Sequence, residues 1–153
     1  MHDPITTNAG SPASDGQTRQ PTIQVTPVGA RPSALGAAEL FTGTVVVDGM
    51  FGPNSHSPGS GALVTFTPGA RTAWHAHPVG QILIVTAGQG WIQAWGEDRR
   101  ALQPGDVAWI PPGVKHWHGA SATHAMAHIA IQEVRDGSAA QWMEQVDDHQ
   151  YAA

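Results

Sequence analysis

Apolar and polar positions along this chain follow no sustained helical period. From Leu40 onward, short runs of apolar, β-branched or aromatic residues occupy 40–47, 62–67, 81–86, 91–95, 107–110 and 123–132. Turn-forming residues separate them: Asp48-Gly49, Pro68-Gly69, Ala87-Gly88-Gln89-Gly90, Pro104-Gly105-Asp106 and Pro111-Pro112-Gly113. Short strands with such punctuation predict an all-β sandwich or barrel. The run Ile82-Leu83-Ile84-Val85 is apolar on both parities, so both of its faces need cover. A second sheet covers one face, and a homodimer or higher homo-oligomer covers the other. Near the end, Asp136-Gly137-Ser138 reads as the cap of a short helix over 139–146, with Trp142, Met143 and Val146 as its apolar stripe. Residues 1–30 are rich in Ser, Pro, Gly, Thr and Gln and read as a flexible tail, leaving one domain over 31–153. Within the tail, Ile23-Gln24-Val25 could add a short edge strand, to this chain or to another subunit.

Composition narrows the partners. The chain has 153 residues and a formal net charge of −5. Its single lysine is Lys115, and the arginines are scattered. That balance argues against nucleic acid or an anionic membrane as a partner. Cysteine is absent, which excludes disulfides, a thiolate zinc site and a cysteine nucleophile. No apolar run is long enough to span a bilayer, and no basic segment leads into an apolar one at the N-terminus. A cytoplasmic protein is the default expectation.

Candidate chemistry lies in the histidines. His75 and His77 are two residues apart, so on a strand they share a face, and Gln81 has the same parity. Two imidazoles at that spacing make half of a metal site. His116-Trp117-His118 repeats the spacing further on. His118 has the parity of His116 and either lines the same cavity or only packs. On the last long run His128, Ala130 and Gln132 share parity, as do Ala62, Val64 and Phe66 on an earlier one.

The punctuation around these residues adds a further signal. Gly69 precedes His75-Ala76-His77, Gln81 and Gly88, and the second block runs Gly105, Pro111, Gly113 and His116. These spacings resemble the two motifs of the cupin superfamily. Longer stretches, from Phe41-Thr42-Gly43 through Lys115-His116-Trp117-His118-Gly119 to Ala125-Met126-Ala127-His128, are similar to bacterial cupin-type hydroxynitrile lyases. The likeness spans about 40–151. It departs from the general motifs at Gln81, where the usual residue is Glu, and at Ala120, where it is Asn. The resemblance implies a cupin double-stranded β-helix barrel. It also implies a divalent metal, manganese with iron or zinc as substitutes, held by His75, His77, Gln81 and His116. His128 then matches the acid/base of that group.

The implied reaction is cleavage or formation of cyanohydrins such as mandelonitrile, with a carbonyl compound and cyanide as the other partners. A carboxamide in place of a carboxylate leaves the cation its full charge. That favours Lewis-acid over redox chemistry. His128 would carry the proton, with His118 and Gln132 beside it. Ala62 and Val64 would shape the substrate pocket. Two other cupin roles compete: a metal-dependent dioxygenase cleaving carbon–carbon bonds, and a non-catalytic cupin binding a small ligand.

Overall fold

A computed structural model describes residues 22–152 of the protein. Most of the expected tail, with His2, lies outside the described residues. Its described part, 22–30, forms no strand, and Ile23 and Val25 are exposed. The Ile23–Val25 segment therefore adds no edge strand within this chain.

The chain runs through β1 (Ala34–Leu35), β2 (Phe41–Thr42), β3 (Val45–Phe51), β4 (Gly59–Phe66), β5 (Arg71–Thr72), β6 (His75–Ala76) and β7 (Gln81–Gly88). It continues through β8 (Gly90–Ala94), β9 (Arg100–Leu102), β10 (Val107–Ile110), β11 (His116–Ala120), β12 (Met126–Glu133), β13 (Gln141–Trp142) and α1 (Asp148–Ala152). One sheet has the order β1-β3-β4-β12-β7-β10. The other runs β13-β6-β11-β5-β2, with β8 joining β11 to β9. Every pairing is antiparallel. The two curled sheets face each other as a double-stranded β-helix barrel, the all-β architecture expected.

Alternation along the strands builds the interior. Val64 and Phe66 of β4, Leu83 and Val85 of β7, and Met126 and Ala130 of β12 turn inward with Val45, Leu102 and Ile110. A smaller cluster of Trp74, Trp117 and Val146 sits between the second sheet and the C-terminal segment. The opposite parity of the first sheet points outward. Cα register places Leu63, Ile129, Ile84 and Val107 side by side on that outer face.

Two expected elements differ. The run 40–47 is not one strand. Gly43 breaks it at a φ of +79°, sending Phe41–Thr42 to one sheet and Val45–Phe51 to the other. The helix over 139–146 is absent. Asp136 and Gly137 both have positive φ, and Arg135 and Ser138 exchange backbone hydrogen bonds across them. That is a two-residue hairpin turn and not a helix cap. The chain then stays extended because its backbone pairs with β6 at Gln141 and Trp142 and with Trp74 at Met143 and Glu144. The helix that does form is α1. Asp147 caps it by accepting from Gln150 N at 2.7 Å, while Gln150 Oε1 accepts from Asp147 N at 3.1 Å.

Candidate metal centre

Register brings the histidines together. His75 on β6 is the Cα partner of His116 on β11 and of Trp142 on β13. His118 follows on the same face of β11, and His128 stands on β12 opposite Val64. All five imidazoles of the two motifs and β12 are buried, as is Gln81 at the start of β7. Gly80 makes that start. Its φ is +88°, and a Cβ there would come within 2.6 Å of the Ile110 carbonyl and the Trp109 ring. Only glycine turns the chain so closely under β10 and delivers Gln81 into the barrel.

Backbone carbonyls fix three of the rings. His75 Nδ1 donates to Ala73 O at 3.0 Å, His77 Nδ1 to Ala139 O at 2.7 Å and His116 Nδ1 to Val114 O at 2.9 Å. A carbonyl only accepts, so each Nδ1 carries the ring proton and each Nε2 is bare. Nε2 of His77 and of His116 are buried without a partner, as is Oε1 of Gln81. The facing nitrogens of His75, His116 and His118 all lie within 4.8 Å of one another. His77 stands beside them, its ring 5.1 Å from that of His75 and 5.6 Å from that of His116.

Electrostatics keeps these rings neutral. Burial lowers the pKa of His75 and His118 well below the usual 6.5, and neighbouring imidazoles push it the same way. Burial brings His116 and His128 to about 4. It also lowers His77, against the opposing effect of the bond to Ala139. Bare nitrogens converging in a buried space, with an orphaned carboxamide oxygen beside them, suit a divalent cation, which needs deprotonated ligands and replaces the missing partners. The three-histidine site is compatible with such a metal.

Apart from His116, which lines a neighbouring cavity beside Pro111 and Val114, the residues singled out in the sequence line one cavity of about 430 Å³. Its polar lining includes His75, His77, Gln81, His118, His128 and Gln132. Ala62 and Val64 line it as well, with Phe41, Ala130 and Trp142. His118 and His128 form a pair, with His118 Nδ1 and His128 Nε2 3.0 Å apart. His118 Nε2 and His128 Nδ1 have no partner. Both ends of the Gln132 amide are engaged, with Gln81 and with Ser60. The sequence pattern puts Trp142 on a helix and does not mark it as a cavity residue. In the structure its indole stacks on the His75 ring at 4.6 Å and an interplanar angle of 27°.

An antiparallel two-sheet barrel with inward histidines on facing strands defines a class of protein, and the comparisons agree. Residues 62–131 match the family model described as Cupin domain, and the chain belongs to the cupin family. Within it, the chain is 54% identical over 129 residues to an (R)-mandelonitrile lyase from Granulicella tundricola, across 84% of this chain and 98% of that protein. A solved cupin-like protein from Thermotoga maritima is 39% identical with a TM-score of 0.74, over 82% of this chain and 95% of its own. A solved cupin-2 domain from Rhodospirillum rubrum, 17% identical, shares the fold with a TM-score of 0.64, over 87% of this chain and 86% of its own. Among the described residues no helix is long and apolar enough to cross a membrane.

Proposed function

We propose that this protein is a metal-dependent hydroxynitrile lyase, cleaving cyanohydrins such as mandelonitrile to an aldehyde and hydrogen cyanide and running the reverse addition. The observation that carries this reading is the near full-length identity with an (R)-mandelonitrile lyase. The cavity supports it, since metal-type donors and an unspent imidazole pair open into one space.

The residues that would hold the cation are His75, His77, Gln81 and His116. Manganese is the metal that the resemblance to cupin-type hydroxynitrile lyases implies, with iron or zinc as substitutes, since three imidazoles by themselves suit iron and zinc as well. When bound, the cation supplies positive charge where negative charge develops on the substrate. His118 is the ligand in the alternative set, with His75 and His116, because their nitrogens converge so closely.

The proton step falls to His128 and His118. One ring proton lies between His128 Nε2 and His118 Nδ1. Two neutral rings carry two N–H protons in all, so one outer nitrogen is bare and the other is protonated in either tautomer. The bare one takes the substrate hydroxyl proton while the carbon–cyanide bond breaks. The other protonates the departing cyanide. Ala62 and Val64 leave room for the substrate, and Trp142 and Phe41 form an aromatic wall.

Release of hydrogen cyanide from mandelonitrile by manganese-loaded protein tests the reading. His128→Ala should lower the rate at least a hundredfold with metal content unchanged. Full activity in that variant would remove His128 from the mechanism. Activity that requires dioxygen would instead identify a dioxygenase.

The functional unit is proposed to be a homodimer or larger homo-oligomer. The apolar outer row Leu63–Ile129–Ile84–Val107 supports this, as Val107 is 65% exposed in the single chain.

A further inference from the structure

Ser60, Gln132 and Gln81 stand in one row across three neighbouring strands. Gln132 on β12 is the Cα partner both of Ser60 on β4 and of Gln81 on β7. Their side chains are joined in series. Ser60 Oγ donates to the Gln132 backbone carbonyl at 3.1 Å. Gln132 Nε2 donates to Ser60 Oγ at 3.1 Å, and Gln81 Nε2 donates to Gln132 Oε1 at 3.2 Å.

The direction of this chain is fixed at one end. A backbone carbonyl only accepts, so the single hydroxyl proton of Ser60 is committed to it. The Ser60 oxygen then has only lone pairs to offer, and the group facing it must be a donor. That turns the NH₂ of Gln132 toward Ser60 and its oxygen toward Gln81. Gln81 must in turn present its NH₂ to Gln132. Its own Oε1 is left buried, unpartnered and free to face the imidazoles.

We propose that Ser60 is a positioning residue for the metal centre: through Gln132 its hydroxyl selects which end of the Gln81 carboxamide faces the histidines. The flipped amide would aim an NH₂ at bare ring nitrogens and at a cation, to which it can offer no lone pair. Ser60 touches neither substrate nor metal, and acts through two amides. The proposal rests on the reading of Gln81 as a ligand.

The test is titration of metal-free protein with Mn²⁺, reading the free ion by electron paramagnetic resonance. Ser60→Ala should weaken binding roughly tenfold, the scale usual for loss of a partner that orients a ligand. Ser60→Thr, which keeps the hydroxyl, should restore it. In a Gln132→Leu background Ser60→Ala should have no further effect, since the intermediate link is already gone. A loss that Thr does not restore, or one that persists in the Gln132→Leu background, overturns the relay. Gln81→Ala separates the two readings. Unchanged Mn²⁺ affinity there removes Gln81 from the ligand set and the relay with it. Weakened affinity in Gln81→Ala beside unchanged affinity in Ser60→Ala keeps the ligand and overturns the relay alone.

Discussion

At the residue scale the centre is made by protons assigned to backbone carbonyls. Ala73, Val114 and Ala139 each take a ring proton at Nδ1, so three Nε2 atoms are bare before any ion arrives. Neutrality has a consequence for acid stability. Burial holds His116 and His128 at about 4, below the usual 6.5. The unfolded chain takes up protons near 6.5 that the folded chain refuses until about 4. Their contribution to stability is therefore whole above 6.5, declines as pH falls and is lost below about 4. Urea unfolding of metal-free protein should show stability dropping by a few kcal/mol across that window. A flat profile would show that these rings are not held neutral.

At the element scale, Arg71 ties the C-terminal segment to the second sheet. Its side chain is buried, donating from Nε and Nη2 to Val146 O at 3.0 and 2.8 Å, with its guanidinium 4.7 Å over the Tyr151 ring. It also meets Asp148 at 2.8 Å, but that carboxylate is 99% exposed. The carbonyl bonds outweigh the ion pair, because a surface partner is screened and a buried carbonyl is not. Arg71→Ala should therefore cost about 2–4 kcal/mol, while Asp148→Asn leaves the thermal midpoint almost unmoved. Equal effects from the two variants would reverse that ranking.

The same scale shows what was legible in the sequence. Strands β4, β7, β10 and β12 are legible as apolar, β-branched or aromatic runs between turn residues. Two-residue strands such as β5 and β6 are not, for they are too short to carry a period and exist only through their partners on β2, β11 and β13. Two Asp-Gly pairs depart from their local signal in opposite senses. Asp48-Gly49 lies inside β3, where the register shifts past a bulge, whereas Asp136-Gly137 makes a true hairpin turn. Cross-strand pairing decides such cases, and a local dipeptide does not contain it. In the candidate site, His116 and His118 share a face of β11 as their spacing suggests, whereas β6 ends at Ala76 and Gln81 opens β7, so the parity of His75, His77 and Gln81 does not run along one strand. Trp142 was not legible as a site residue, because its place depends on β13 docking beside His75.

At the scale of the whole molecule, the outer face of the first sheet carries the remaining prediction. Sedimentation should give a mass at least twice the 16.0 kDa of one chain. Ile129→Glu, in the middle of the apolar row, should shift the protein toward the monomer without removing cyanide release. A wild-type protein that sediments at one chain mass would remove the oligomer.

The C-terminal segment also sets an order of events. The segment from β4 to β12 contains every proposed ligand, yet the acceptor for His77 is Ala139 O and the indole stacked on His75 belongs to Trp142. During synthesis from the N-terminus, the barrel strands emerge first and can pair while His77 still lacks its acceptor and can carry its proton on either nitrogen. The His77 ring is held in one tautomer only once residues 139–142 have left the ribosome and docked. The last-made segment thereby completes a centre whose other two carbonyl-held rings are fixed from within the barrel.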